Sequence, residues 1–368
     1  MGLAHTRPVV YRATRLSSRG IEADKVGLCV RSSGIGSFTG PSGDMEGQTN
    51  IPKIRLNNGN EMPIIGLGEW QNDDQESIER TLVNAIRAGY RFFDTAPIYK
   101  NEEYMGNTFQ QLFETGEIKR EDVFVCTKLG PNRMDPKVVS EACQNSIKRL
   151  KSNYVDLYLM HFPVPSQATD DEFEYYPKHE EKNELLIDYN VKLEETWQAM
   201  ERLVVDGLAK SIGLSNCNRD QIERILSICK IKPANLQIEC HPYLPQQEMV
   251  DFCKSINIAV TAYAPLGTPG FGPDVSVPVL INEEIVKSIA ASKGKTPAQI
   301  LVRFLIQRDI AVIPKSSNPD HQKENLQVFD FSLSQEEMDE LYKLDRNFRY
   351  FTFNLYPNML LHPEHPFK

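Results

Sequence analysis

No stretch of 18 or more apolar residues occurs in the 368-residue chain, so nothing in it reads as a membrane-spanning helix. Nor is there an excess of positive charge. The formal net charge is −9, which argues against nucleic acid or an anionic membrane as the main partner. Cysteine occurs seven times, an odd count, and never at C-x2-C spacing. Several of these thiols lie inside apolar runs, where they behave as small hydrophobes. A reduced interior is a better reading than a disulfide framework or a zinc site. A complete Rossmann fingerprint is missing too. Gly34-Ile35-Gly36 meets its third glycine one place late, at Gly40, with no helical pattern after it, and Gly66-Leu67-Gly68 has no third glycine. A dinucleotide would have to be held in some other way.

What is present is an ordinary globular composition, 40% apolar and 25% charged, with ample material for one large core. The first fifty residues differ from the rest. Arg7, Arg12, Arg15 and Arg19 precede the first acidic residue, Glu22, and Gly, Ser and Thr dominate from 32 to 50. No apolar segment of secretory type follows the arginines. The stretch reads as a disordered extension, with a mitochondrial transit peptide as the alternative, and the rest, 51–368, reads as a single domain.

From Ile51 the pattern becomes regular. Residues 53–64 read as a β-hairpin turning on Asn58-Gly59. Eight short apolar runs follow, at 64–68, 91–96, 123–128, 155–161, 211–216, 235–240, 259–264 and 311–316. Amphipathic helical patterns separate them at 76–88, 136–150, 193–206, 219–228, 246–255 and 296–307, the last opening on Thr296-Pro297 as cap and first position. Apolar strands alternating with helices predict a parallel sheet covered on its faces, and eight units predict an α/β fold of (β/α)8-barrel type. Two stretches exceed a normal connection. These are the acidic and aromatic 163–191 and the aromatic tail from 345, both expected at the C-terminal face of the barrel or against its wall.

Polar residues collect at the predicted strand ends. Asp94 ends the second strand with Tyr99 just beyond, Lys128 ends the third, His161 the fourth and Ser215-Asn216 the fifth. Tyr263 lies near the end of the seventh, and the eighth runs into Lys315-Ser316. In a closed barrel these ends share one face, where active sites sit. Singly each has a bland explanation, such as a cap, a satisfied histidine or a snorkelling lysine. Four ionisable groups of complementary type are harder to dismiss, because burial without purpose is costly. Their chemistry suits addition of hydride to a carbonyl, which needs a proton donor and a polarising environment. A free tyrosine, with a pKa of about 10, is a weak donor. The expectation is that Lys128, held charged by Asp94, lowers that value for Tyr99, and that His161 orients the substrate oxygen.

At these residues the chain resembles the aldo-keto reductases. The resemblance rests on Gly89-Tyr90-Arg91-Phe92-Phe93-Asp94-Thr95-Ala96, Met62-Pro63-Ile64-Ile65-Gly66-Leu67-Gly68, Gly213-Leu214-Ser215-Asn216, Gln237-Ile238-Glu239-Cys240-His241-Pro242-Tyr243 and Ile313-Pro314-Lys315-Ser316. It runs from about Ile51 to the C-terminus. It implies an NADPH-dependent reductase of aldehydes and ketones, monomeric and cytoplasmic, without a metal. Asp94, Tyr99, Lys128 and His161 match the catalytic tetrad. Ser215, Asn216 and Gln237 match the contacts to the nicotinamide amide, and Tyr263 matches the ring stacked on the nicotinamide. Leu266, Lys315 and Ser316 match further cofactor contacts, the last two at phosphate. His321, Glu324 and Asn325 match the adenosine end. Trp70, His161 and Phe162 match the substrate pocket.

The chain departs from the family at four of these places. Ala264 stands where a serine is frequent. His321 stands where an arginine often contacts the 2′-phosphate; a largely neutral imidazole forms no bidentate fork, so NADH use as a weaker alternative is expected. Gly130 and Phe162 replace two pocket tryptophans. The same fold also serves in NADP(H)-binding interaction or regulatory subunits, which remains the alternative to an enzyme. A metal-dependent barrel hydrolase would need His and carboxylate ligands clustered at strand ends, and only His161 and His241 lie there.

Overall fold

The computed structural model describes residues 51–367 apart from 73 and 269–277. The reading of the first fifty residues as an extension falls outside the described part. The chain enters through a hairpin of β1 (Lys53–Arg55) and β2 (Glu61–Pro63), with Ile54 opposite Met62. The turn closes through Leu56 N to Asn60 O at 2.8 Å, and Gly59 takes a left-handed φ of 89° that favours glycine. Its asparagines grip the N-terminal ends of barrel strands. Asn57 Nδ2 donates to Pro233 O at 2.7 Å, and Asn58 and Asn60 both donate to Lys210 O and Ser211 Oγ. Leu56 and Met62 meanwhile pack with Phe92, Phe124, Leu157 and Leu159 inside the barrel. The hairpin is a plug for the bottom.

All eight predicted strands are present: β3 (Leu67–Gly68), β4 (Phe92–Asp94), β5 (Phe124–Leu129), β6 (Leu157–Met160), β7 (Ile212–Ser215), β8 (Asn235–Glu239), β9 (Ala259–Tyr263) and β10 (Ala311–Val312). Each pairs in parallel with its sequence neighbour. The first and last meet as well. Ile65 bridges Val312 in parallel, Gly66 N donates to Val312 O at 2.8 Å and Val312 N to Ile64 O at 2.9 Å. These bonds close the sheet into a barrel and leave no edge.

Helices surround it: α1 (Gln75–Ala88), α2 (Glu102–Glu114), α3 (Val139–Arg149), α4 (Leu193–Val205), α5 (Arg219–Ile228), α6 (Gln247–Ser255), α7 (Glu284–Lys293), α8 (Pro297–Ile306), α9 (Pro319–Leu326), α10 (Gln335–Tyr342) and α11 (Pro357–Leu361). Local chemistry sets several ends. Asp74 caps α1 through Ser77 N at 2.8 Å, Gly89 ends it at φ 113°, and Thr296 with Gln299 forms a capping box on α8. The third helix starts at Val139 rather than 136, because Pro136 and Lys137 belong to the turn around Asp135. Helix α2, absent from the expected set, is masked in the sequence by acidic residues at its start and Gly106 in its middle. Among the described residues no helix is long and apolar enough to cross a membrane, and Cys126, Cys143, Cys217, Cys229, Cys240 and Cys253 are free thiols.

Gly106 explains itself by a close approach: a Cβ there would fall 2.2 Å from Arg149 O and 2.7 Å from the Leu150 carbonyl carbon. In an exposed helix Gly→Ala gains about 1 kcal/mol, but here the overpacking outweighs it. Gly106→Ala is expected to lower stability by about 2 kcal/mol, read as a fall in the urea midpoint; an unchanged or higher midpoint contradicts this packing.

Candidate active site

The rim at the C-terminal ends of the strands carries a buried ionic cluster. Lys128 points inward from β5 and its side chain has no exposure. Its three donors find three acceptors: Asp94 Oδ1 at 2.6 Å, Thr95 O at 2.8 Å and the Tyr99 hydroxyl at 3.5 Å. The short turn Pro97–Tyr99, ended by Lys100 at a left-handed φ of 57°, folds Tyr99 back over the ammonium. Burial alone would pull Lys128 down, but Asp94 and the neighbouring Tyr99 and Cys126 outweigh it and hold the ammonium above its ordinary value. The second oxygen of Asp94 accepts from Gln237 Nε2 at 2.7 Å.

His161 follows β6, with its backbone N donating to Leu129 O at 3.0 Å. Its ring meets Tyr99 edge-on, with centroids 5.9 Å apart. Burial, and then Lys128, pushes the imidazole well below its ordinary pKa, so it is neutral at physiological pH. Tyr99 differs from expectation. Burial pushes its phenol up to about 12, and Lys128 opposes that rise without reversing it. The sequence predicted the neighbour and its direction but not the larger effect of desolvation.

Around this centre the other predicted residues fall in two groups. Tyr263 donates through its hydroxyl to Asn216 Oδ1 at 2.8 Å, and Asn216 Nδ2 donates to His161 O at 2.9 Å and Ser215 Oγ at 3.1 Å. Ser215, Asn216, Gln237 and Tyr263 thus form one polar wall joined to Asp94 and His161, with Leu266 half-buried just past β9. Lys315, Ser316 and His321 lie apart from it at the start of α9, whose N-cap Asn318 accepts from Asp320 N and His321 N. Lys315 is exposed and makes no ion pair with a described residue. An exposed ammonium near a helix N-terminus suits an anion. On the same helix Glu324 is half-buried and Asn325 buried. Ser215, Asn216, Gln237 and Tyr263 on the strands and Lys315 and Ser316 just past β10 thus belong to the same C-terminal rim.

Trp70 meets Phe351 of the tail edge-on at 5.3 Å, and Phe351 meets Tyr263 of the polar wall at 5.6 Å. The tail is thus part of the mouth. Phe162, expected in the pocket, lies fully buried beneath Phe353, stacked at 4.5 Å, and beside Phe367. Glu239 fastens the tail by accepting from Tyr350 N at 2.7 Å and Phe351 N at 3.0 Å. It also pairs with His241 at 2.9 Å, so that histidine is a structural one. Among the described residues no group of three or more His, Cys, Asp and Glu is placed to hold a metal ion.

Residues 64–346 match the family model described as Aldo/keto reductase family. The chain belongs to that family. It is 42% identical over 322 residues to aldo-keto reductase family 1 member A1 of Gallus gallus, covering 85% of this chain and 97% of that one. It is 41% identical over 321 residues to aldo-keto reductase family 1 member C1 of Macaca fuscata fuscata, with the same coverage. Among solved structures, that of the aldose reductase from Schistosoma japonicum matches with a TM-score of 0.79 and 42% identity. The match covers 86% of this chain and 99% of that one. As an aldo-keto reductase the chain is an oxidoreductase on a (β/α)8 barrel.

One further rim carboxyl lies a residue past the first strand, whose apolar pattern ends at Gly68. Glu69 is buried, with Oε2 accepting from Asn72 at 2.9 Å and Oε1 without a partner. Burial, against the pull of Asn72 and Lys315, pushes it up from 4.5 to about 7. Such an acid binds its proton more tightly folded than unfolded. Its contribution is full below about 4.5 and is lost as pH climbs to about 7, by on the order of 3 kcal/mol. Glu69→Gln is therefore expected to raise Tm by several degrees at pH 8 and to leave it unchanged at pH 4; equal Tm values at both pH values contradict the assignment.

Proposed function

We propose that this aldo-keto reductase reduces aldehydes and ketones to alcohols with NADPH, with Tyr99 as the proton donor. The observation that carries the reading is the Tyr99 hydroxyl 3.5 Å from an ammonium that is itself locked to Asp94. Bound NADPH supplies the hydride. Ser215, Asn216 and Gln237 offer amides and a hydroxyl to the nicotinamide amide, and Tyr263 offers its ring face. Leu266, Lys315 and Ser316 take the middle of the dinucleotide, with phosphate at the lysine. His321, Glu324 and Asn325 take the adenosine end.

Neutral His161 donates a hydrogen bond to the carbonyl oxygen and fixes its angle. Tyr99, with a pKa of about 12, is fully protonated at pH 7. It is still a stronger acid than an alcohol, whose pKa is near the ~15.7 of water. Proton transfer to a forming alkoxide therefore runs downhill, and the phenolate left behind faces the Lys128 ammonium. In this reading the substrate is a small carbonyl compound, handled by a cytosolic monomer. A subunit that only bound dinucleotide would gain nothing from burying this ionic cluster beside a phenol.

Tyr99→Phe is expected to lower kcat for a simple aromatic aldehyde about a thousandfold while NADPH, followed by fluorescence, binds as before. Retained turnover ends the proposal. His321→Arg is expected to raise the preference for NADPH over NADH at least about tenfold, because a guanidinium fork replaces a neutral ring; an unchanged ratio of kcat/KM values shows that residue 321 does not set the preference.

A further inference from the structure

The long connection between β6 and α4 brings a tyrosine against His161. Tyr175 is 2% exposed, and its ring meets the imidazole edge-on with centroids 5.6 Å apart at 87°. Room for that ring is made by a missing side chain. At Gly130, just past β5, a Cβ would fall 2.4 Å from Tyr175 Cε1 and 2.7 Å from Cζ. The Gly130 backbone, at φ −68° and ψ 150°, suits any residue. Glycine is needed there for space, not for conformation. The segment carrying Tyr175 is tied down at several points. Ser166 Oγ donates to Tyr175 O at 2.7 Å, Asn132 Nδ2 donates to Glu172 O and Glu174 O at 3.0 and 3.1 Å, and Glu172 pairs with Arg149.

His161 has little else to orient it. Its Nδ1 is buried without a hydrogen-bond partner, and Asn216 reaches only its backbone oxygen. The imidazole is therefore held at its angle by two perpendicular aromatic rings, Tyr99 and Tyr175. The charged group acting on it is Lys128 of β5, itself paired with Asp94 of β4. The groups facing it from the turn after β4 and from the long connection are the Tyr99 and Tyr175 phenols.

We propose that Tyr175, lodged in the space that Gly130 leaves open, is a positioning residue for His161: it fixes the angle of the imidazole and shuts water out of that side of the mouth. Gly130 and Tyr175, 45 positions apart by their numbering, then act as one unit. A side chain at 130 expels the ring; with the ring removed, a Cβ at 130 still meets Asn132 Oδ1 at 2.6 Å, the end of a side chain that can turn aside.

The test has two arms, the kinetic one resting on the reductase reading. In the first, His161 of the full-length protein is titrated by NMR, its signal assigned with His161→Gln. Tyr175→Ala and Gly130→Ala admit water, and the imidazole pKa is expected to rise by about one unit or more toward the ordinary ~6.5. Tyr175→Phe keeps the ring and is expected to titrate as the parent does. In the second arm, kcat/KM for a small aldehyde is expected to fall roughly tenfold in each alanine variant, with a new acid limb in its pH profile. The double variant is expected to lose no more than Tyr175→Ala alone, a non-additivity that marks a shared contact. Tyr175→Leu keeps apolar volume without an aromatic edge and takes the place of the alanine variant if that one does not fold. An unmoved His161 titration in the ring-less variants, or losses that add, overturns the proposal. A parent enzyme with no NADPH-linked turnover overturns the reductase reading instead, and the titration still decides the role of Tyr175.

Discussion

The Lys128 ammonium has no exposed surface and sits 2.6 Å from Asp94 Oδ1. Taking both charges out of water is expensive, and their attraction offsets that cost only when every donor and lone pair is used. Here every ammonium donor and both carboxylate oxygens have a partner. Thr95 O and the Tyr99 hydroxyl take the remaining ammonium donors, and Gln237 fills the second carboxylate oxygen. The partners come from the end of β4 and the turn after it, from β5 and from β8, so the cluster is only as precise as the barrel that presents it. That barrel closes through the bonds between 64–66 and Val312, and Leu56 and Met62 of the hairpin pack inside its lower end.

The same cluster explains why proton chemistry at this rim does not depend on making the tyrosine unusually acidic. A buried phenol next to a charge pair feels desolvation, the lysine and the aspartate together, and desolvation is the largest of the three. The lysine serves the phenolate more than the phenol, because its stabilisation grows as negative charge develops on the oxygen. His161 works at the other extreme. Burial and the same lysine keep it from becoming a second cation, leaving it as a neutral donor. Burial thus decides the protonation of both neighbours, and the one ammonium acts on each of them.

Much of the architecture was legible because barrel strands are short, apolar and bounded by turn residues, and all eight stand where the pattern placed them. Asp94, Lys128 and His161 stand out in the sequence for the complementary reason: they are polar residues at the ends of otherwise apolar runs. What sequence could not give was any quantity set by burial. Tyr99 rises instead of falling, and Glu69, one residue beyond a strand end, becomes a carboxyl pushed up to about 7. Helix α2 was hidden because its apolar face, with Met105, Phe109 and Leu112, is interrupted by a glycine whose purpose is a contact 43 residues away by numbering, at Arg149. Phe162 read as a pocket residue because its place beside His161 is visible in the chain, whereas the Phe353 and Phe367 rings that cover it belong to the tail.

That last point bears on where substrate preference is written. The ionic centre is built from strand ends, but the aromatic surfaces around it come from segments outside the regular alternation: Tyr175 from the long connection, Phe351 from the tail against Trp70 and Tyr263, Phe353 over Phe162. Both segments are clamped by carboxylates at their base, Glu172 to Arg149 and Glu239 to the backbone of Tyr350 and Phe351. Clamped in this way, a loop supplies a wall without taking part in the barrel's hydrogen bonding, so its rings can change while the strands beneath stay fixed. A glycine such as Gly130 then records the contact from the barrel side, since the strand end gives up a side chain where the loop delivers one.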